Sequence, residues 1–492
     1  MKRPKILFSI LAIIILLIPG LLKADELPAG LKKAADSIDP LLAYQLTRTM
    51  ASPEFAGRLT GDKGYTRAAK WAEARFKEWG LKPLDSTSSY LQPYPSPYTI
   101  IDQASMVLHL PVNPGPEGQI KYQTIELEPE KDFLPLLYSD SGYLTADLVF
   151  VGWGISAPEL NYDDYAGVEV KGKFVLCFRG TPDRRRTEFQ HHDEHRTRMK
   201  VAKDKGALGL IYIYPTAQAN PNGDWLKGFM PGMITEKIAD QIFKEINSTT
   251  SDLKKALETY KRPISFALKS RLTYSVSSRH FPDGTGYNIA AWVEGSDPKL
   301  KKELIIIGGH FDHCGQHLGL LFPGADDNAS GSAVVMTLAK ALASLNSKPK
   351  RSVMFVLFGG EELGLQGSTY FANHLPSGFE KVAAMFNFDM EGAGDGAWCG
   401  ISEEPPALKE AIERANKEIN IIRGINIIRG VGVRSSDFAP FFLKGIPCAS
   451  IGSNGPHLAY HGTGDTIYRI NPEIMGSIAR VAFLSIYFLA NN

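Results

Sequence analysis

Acidic residues and histidines stand wherever a short apolar run of this chain ends. Residues 305–307 run into Gly308, Gly309, His310, Phe311 and Asp312, and the segment GADDNASG with Asp326 and Asp327 follows. Residues 353–358 run into Gly359, Gly360, Glu361 and Glu362, residues 383–388 run into Asp389, and His461 sits in YHGTGD after the run 446–451. Imidazole mixed with carboxylate suits zinc better than the all-oxygen shells of calcium or magnesium, with cobalt or manganese as substitutes. Two divalent ions carry four positive charges; Asp327, Glu362 and Asp389 supply three negative ones, and one hydroxide closes the balance without an unpaired buried charge. Metals roughly 3.5–4 Å apart polarise a carbonyl and acidify water, which is hydrolytic chemistry.

The elements that position these residues follow from the same runs. Short apolar stretches without alternation read as strands covered on both faces, as in a parallel sheet. Ligands of open α/β sheets bind beyond the carboxyl ends of the strands, so residues scattered in sequence converge there. Tyr65, Ala69, Ala72, Phe76 and Trp79, spaced four and three apart, predict an amphipathic helix ending at Gly80. A second helical stretch, 333–345, follows Asp327, and its positive end favours an ionised carboxylate there. Asn471 and Pro472 start a C-terminal helix with Ile474, Ile478 and Val481 facing inward.

Taken in order, HFD, GADDNASG, GGEELG, NFDMEG and YHGTGDT resemble the motifs of the co-catalytic di-zinc aminopeptidases, whose relatives include glutamate carboxypeptidase and the transferrin receptor. The likeness runs from about residue 287 to the C-terminus and adds an N-terminal helical segment. It implies an α/β exopeptidase fold with a mixed, mainly parallel central sheet and helices on both faces. It further implies two Zn2+ per chain and peptide substrates with a free N-terminus. Carried over by position, it puts His310 and Asp389 on one zinc, Glu362 and His461 on the other, and Asp327 between them. Glu361 then matches the general base, and Asp312 the carboxylate that orients His310. The pattern sets the bridge on the aspartate before Asn, leaving Asp326 as support, and favours the histidine after Tyr460 over His457. RSSDFAPFFLKGIP resembles a substrate-side loop, with Phe438 where histidine is common. Three alternatives share the scaffold: a carboxypeptidase or dipeptidase drawing on basic residues such as Arg423, Arg429 or Arg434, a one-zinc glutaminyl cyclase, and a receptor-like binding protein.

Other features read more plainly. His313 and His317 read as loop residues near the cleft. HHDEH at 191–195 has the look of a metal cluster, but dense mixed charge reads as a solvated loop or helix face. HExxH is absent, against a thermolysin-like route. Cys177, Cys314, Cys399 and Cys448 are far apart and lack metal-ligand spacing. With 54 Lys plus Arg against 53 Asp plus Glu, the charge gives no argument for nucleic acid or an anionic membrane.

At 492 residues the chain is long enough for more than one domain. Lys2, Arg3 and Lys5 before the apolar stretch 6–22 predict a signal peptide, 1–24, cleaved after Ala24, and a secreted or periplasmic protein; an uncleaved membrane anchor is the alternative. Residues 25–90 form the N-terminal part of the peptidase domain and 276–492 its catalytic remainder. Between them, 91–275 is an inserted region. NYDDYAGVEVKGKFVLCFRG and VAKDKGALGLIYIY there resemble the β-rich protease-associated (PA) domain, with a core at about 144–266, read as a wall or lid.

Overall fold

The computed structural model describes residue 27 and residues 29–84, 89–112, 120–184, 188–429 and 433–492. The expected signal segment lies outside the described residues.

The apolar runs form the centre of a nine-stranded mixed sheet. Ser352–Phe358, Glu303–His310, Lys381–Phe388 and Cys448–Ser453 lie side by side and parallel. Ser352–Phe358 is buried along its whole length. The reason is period-two alternation between two cores. Ile305, Ile307, Val353, Phe355 and Leu357 point into one, and Leu304, Ile306, Met354, Val356 and Phe358 into the other. The larger core is covered by the helices Lys63–Glu78, Gly331–Ala343, Pro406–Ile419 and Pro472–Asn491, and the smaller by Gln366–Asn373 and Ala439–Phe442. Antiparallel strands complete the sheet, with Thr285–Val293 beside Ser352–Phe358 and Ala397–Ile401 beside Cys448–Ser453.

The helix Lys63–Glu78 buries Tyr65, Ala69, Ala72 and Phe76, and the Asp62 carboxylate accepts from the Gly64 N–H at its start. Pro472–Asn491 is capped by the Asn471 side chain. Among the described residues it is the one helix long and apolar enough to span a membrane, yet 78% of its 18-residue apolar window is buried, which marks it as a core helix.

A second, eight-stranded sheet with its own core occupies the inserted region. It begins at Tyr98–Val112 and ends at Ser265–Phe281. The expected core at 144–266 is therefore too short: Tyr98–Val112, Lys121–Leu127 and Phe133–Pro135 pair into the same sheet. The boundaries at 91 and 275 shift as well, because Leu91–Pro95 pairs with Thr285–Val293 in the first sheet. That pairing brings the two ends of the insertion together.

Candidate active site

Five of the residues expected as metal ligands meet at the carboxyl ends of the parallel strands. His310 ends its strand, Glu362 follows Ser352–Phe358, and Asp389 follows Lys381–Phe388. Asp327 lies in the turn 325–330 that feeds the helix Gly331–Ala343. Its two oxygens face different imidazoles: Oδ1 is 3.2 Å from His310 Nε2, and Oδ2 is 3.2 Å from His461 Nε2. Asp389 Oδ1 joins the His310 side at 3.3 Å, and Glu362 Oε2 joins the His461 side at 3.1 Å. The result is two sets of one nitrogen and two oxygens sharing Asp327.

These spacings fit bound zinc. Ligands about 2.0–2.1 Å from a tetrahedral ion stand about 3.3 Å from each other. Each imidazole is also set in the tautomer a ligand needs. His310 Nδ1 faces the Asp312 backbone carbonyl at 3.2 Å and His461 Nδ1 faces the Ala219 carbonyl at 2.8 Å, so Nε2 is left for the centre. Burial disfavours charge on both rings, but their neighbours outweigh it: Asp389 and Glu361 raise His310, and Cys314, then Glu362, Tyr460 and Asp327, raise His461, well above the ordinary histidine range. Asp327 is held well below the usual carboxylate range by hydrogen bonds from the two histidines that outweigh its burial.

The choices left between neighbouring residues separate in space. Asp326 turns away from the cluster, accepting from the Gly392 N–H at 2.8 Å and pairing with His457 Nδ1 at 2.6 Å. His457 is thereby engaged outside the two ligand sets. The Asp312 carboxylate departs from expectation. Its Oδ1 is 3.9 Å from His310 Nδ1, beyond hydrogen-bond range. It instead accepts from the backbone N–H groups of Glu361 at 3.2 Å and Glu362 at 3.3 Å, fixing the turn that carries both glutamates. Burial first, then Glu362, Asp437 and Asp389, lifts the Glu361 carboxyl well above its ordinary value.

Several further residues shape the site. His313, read as a loop residue, is fully buried, with Nδ1 2.8 Å from Glu362 Oε1. Ser436 donates to Asp389 Oδ2 at 2.6 Å, and Asp465 accepts from the N–H groups of Asp326 and Asp327 at 2.9 and 3.0 Å. Arg58 is wholly buried beneath the cluster, and its guanidinium donates to the carbonyls of Met50, Phe311, Pro323 and Gly324. Burial pulls it down to about 10, against Asp465, Asp312, Asp327 and Glu362, which favour its charge.

The inserted domain reaches the site directly. Ala219 and His461 exchange two backbone-directed bonds, Ala219 N–H to His461 O and His461 Nδ1 to Ala219 O, each 2.8 Å. They hold His461 at φ +54, a region that non-glycine residues adopt at a strain.

The HHDEH segment is only partly the solvated face expected of it. His191 is exposed, but Asp193 is buried and receives Arg198, itself buried. All four cysteines are free and buried. Arg423 donates to the Asp395 carbonyl and Arg429 pairs with Glu403, both away from the cluster, whereas Arg434 lines the cavity beside His461.

Fold and site together define an α/β domain that carries two adjoining nitrogen–oxygen ligand sets suited to metal at the ends of its parallel strands. Residues 288–486 match the model of peptidase family M28. The aminopeptidase of Pseudomonas aeruginosa strain PAO1 is 26% identical over 438 residues, covering 85% of this chain and 71% of that protein. Leupeptin-inactivating enzyme 1 of Streptomyces exfoliatus is 33% identical over 174 residues, 35% of this chain and 37% of that one. Among solved structures, a peptidase M28 precursor from Shewanella amazonensis superposes with a TM-score of 0.66 at 20% identity, covering 94% of this chain and 96% of that chain. The aminopeptidase of Aneurinibacillus sp. strain AM-1 gives 0.64 at 20%, with 93% and 95% covered.

Proposed function

We propose that the protein is a zinc aminopeptidase that removes the first residue from peptides with a free N-terminus. The observation that carries this reading is the division of Asp327 between two equivalent ligand sets, within a stretch matching peptidase family M28. His310 and Asp389 would hold one zinc, Glu362 and His461 the other, and Asp327 both. When bound, the ions supply Lewis acidity to the scissile carbonyl and acidify water between them.

The chain's own groups do the rest. Glu361, with its raised carboxyl and a place on the cavity wall, takes the proton from the attacking water and passes it to the leaving amine. Asp312 fixes the backbone of Glu361 and Glu362, so that one side chain serves the water and the next a ligand set. Acidic groups around the centre favour the substrate's free ammonium, which supports trimming from that end. The inserted region walls the cleft through the loop that carries Ala219. The charged-then-apolar segment 1–24 supports export as part of the same proposal.

The test is hydrolysis of free against N-acetylated aminoacyl amides by zinc-loaded protein. Cleavage of the free amine alone supports the reading, and equal cleavage of the blocked substrate overturns it.

A further inference from the structure

Beside His461 a cavity of about 330 Å³ runs from Glu361 and Glu362 toward Arg179, His195 and Arg434. A second cavity shares those three basic residues and lacks Glu361, Glu362 and His461. The basic residues therefore stand at the end remote from the ligand sets. Arg179 and His195 come from the inserted domain and Arg434 from the peptidase domain, so the pocket is assembled from both.

Arg179 is held in place and left with charge to spare. Its Nε donates to Asp193 Oδ1 at 3.0 Å, and its Nη1 to His195 Nε2 at 2.5 Å. Because a guanidinium has no lone pair, His195 must accept there and carry its proton on Nδ1, which faces the Tyr212 hydroxyl at 3.2 Å. A neutral His195 cancels none of the arginine's charge. Asp193 does so only in part, because the same Oδ1 lies 2.8 Å from Arg198 Nη1. Nη2 of Arg179 has no hydrogen-bond partner among the described residues, and the side chain is 23% exposed. Arg434 meets Glu194 at 3.4 Å across a solvent-exposed rim, where an ion pair is weak. Asn220 and Asn222 add amide donors to the lining. A fixed guanidinium edge with a second arginine and amides around it matches a carboxylate.

We propose that Arg179 and Arg434 form a subsite for a carboxylate carried by the peptide substrate. This rests on the aminopeptidase reading and narrows it to substrates with an acidic group near the scissile bond. The carboxylate belongs to the first side chain, to the second side chain, or to the C-terminus of a dipeptide, and paired substrates separate these sources.

The experiment compares kcat/KM on zinc-loaded, full-length protein for three pairs: Glu- against Gln-anilide, Leu-Glu-amide against Leu-Gln-amide, and Leu-Gly against Leu-Gly-amide. At least one acidic member should exceed its neutral partner by about tenfold or more, the size of a charge-assisted hydrogen bond. Arg179→Gln should collapse that ratio, and Arg179→Lys should restore part of it. If Arg179→Gln does not fold, Arg434→Gln on the exposed rim carries the same comparison. Binding of the favoured pair to zinc-loaded Glu361→Gln protein, by calorimetry, reads the subsite without turnover. Ratios near one in all three pairs, with equal binding, overturn the subsite. Failure to cleave any member while the acidic one binds more tightly sinks the aminopeptidase reading and keeps the subsite.

Discussion

The carboxylate of Asp312 stands 3.9 Å from the Nδ1 of His310, while the Asp312 backbone carbonyl faces that nitrogen at 3.2 Å. The side chain therefore acts on the Glu361–Glu362 turn and the main chain on the histidine. Asp312→Asn keeps the carbonyl and one acceptor oxygen but turns an amide against a backbone N–H. Activity should fall by about 10- to 100-fold, with most of the loss in kcat. Steady-state kinetics at saturating zinc check this, and unchanged kcat with impaired zinc binding would return the carboxylate to orienting His310.

His313 holds the Glu362 oxygen that His461 does not, Oε1 at 2.8 Å, with its ring packed edge-on against that of His461 at 5.5 Å. Removing it in His313→Ala frees a ligand carboxylate to rotate. Zinc affinity, measured by competition with a chelator, should drop by about 10- to 100-fold. His313→Gln, which retains a donor, should recover part of it. An unchanged affinity would make His313 a packing residue.

Arg58 satisfies four backbone carbonyls at full burial. Arg58→Met removes the donors and leaves those oxygens, and the carboxylates above, without the cation. The loss should be about 3–5 kcal/mol, the size seen when one member of a buried charged network is deleted. Thermal unfolding of the zinc-free protein reports it as a lower midpoint for the peptidase domain.

In the inserted domain, burial pushes the Asp164 carboxyl up to about 7, against the Trp153 and Ile155 N–H groups, the Tyr162 hydroxyl and Arg198. The folded form then holds a proton between about pH 4 and pH 7 that the unfolded chain, near 3.9, has released. Stability from this group is greatest at the low end of that window and falls as pH rises through it, levelling off above about 7. Asp164→Asn should flatten that slope. Unfolding midpoints across the window test it, and an identical slope in the variant would remove Asp164 as its source.

The parallel strands could be read from sequence because strands buried on both faces have no solvent side to interrupt their apolar runs. The same logic put His310, Asp327, Glu362, Asp389 and His461 at one edge. Strands such as Tyr98–Val112 and Lys121–Leu127 escaped because they are half exposed and mixed in composition. His313 was hidden by its loop context, and Arg58 because a buried cation satisfied by carbonyls shows no charged partner in sequence. The part played by Ala219 lies wholly in its backbone, which no residue type reveals. Asp193 and Arg198 looked solvated because charges that neutralise one another on burial have the same composition as charges in water.

Whether Asp327 joins two zinc sites is decided by titrating chelator-stripped protein with zinc and measuring bound metal per chain, for the wild type and Asp327→Asn. The wild type should bind two zinc ions and the variant should lose at least one. One zinc in the wild type, or two held with undiminished affinity by Asp327→Asn, would contradict this assignment.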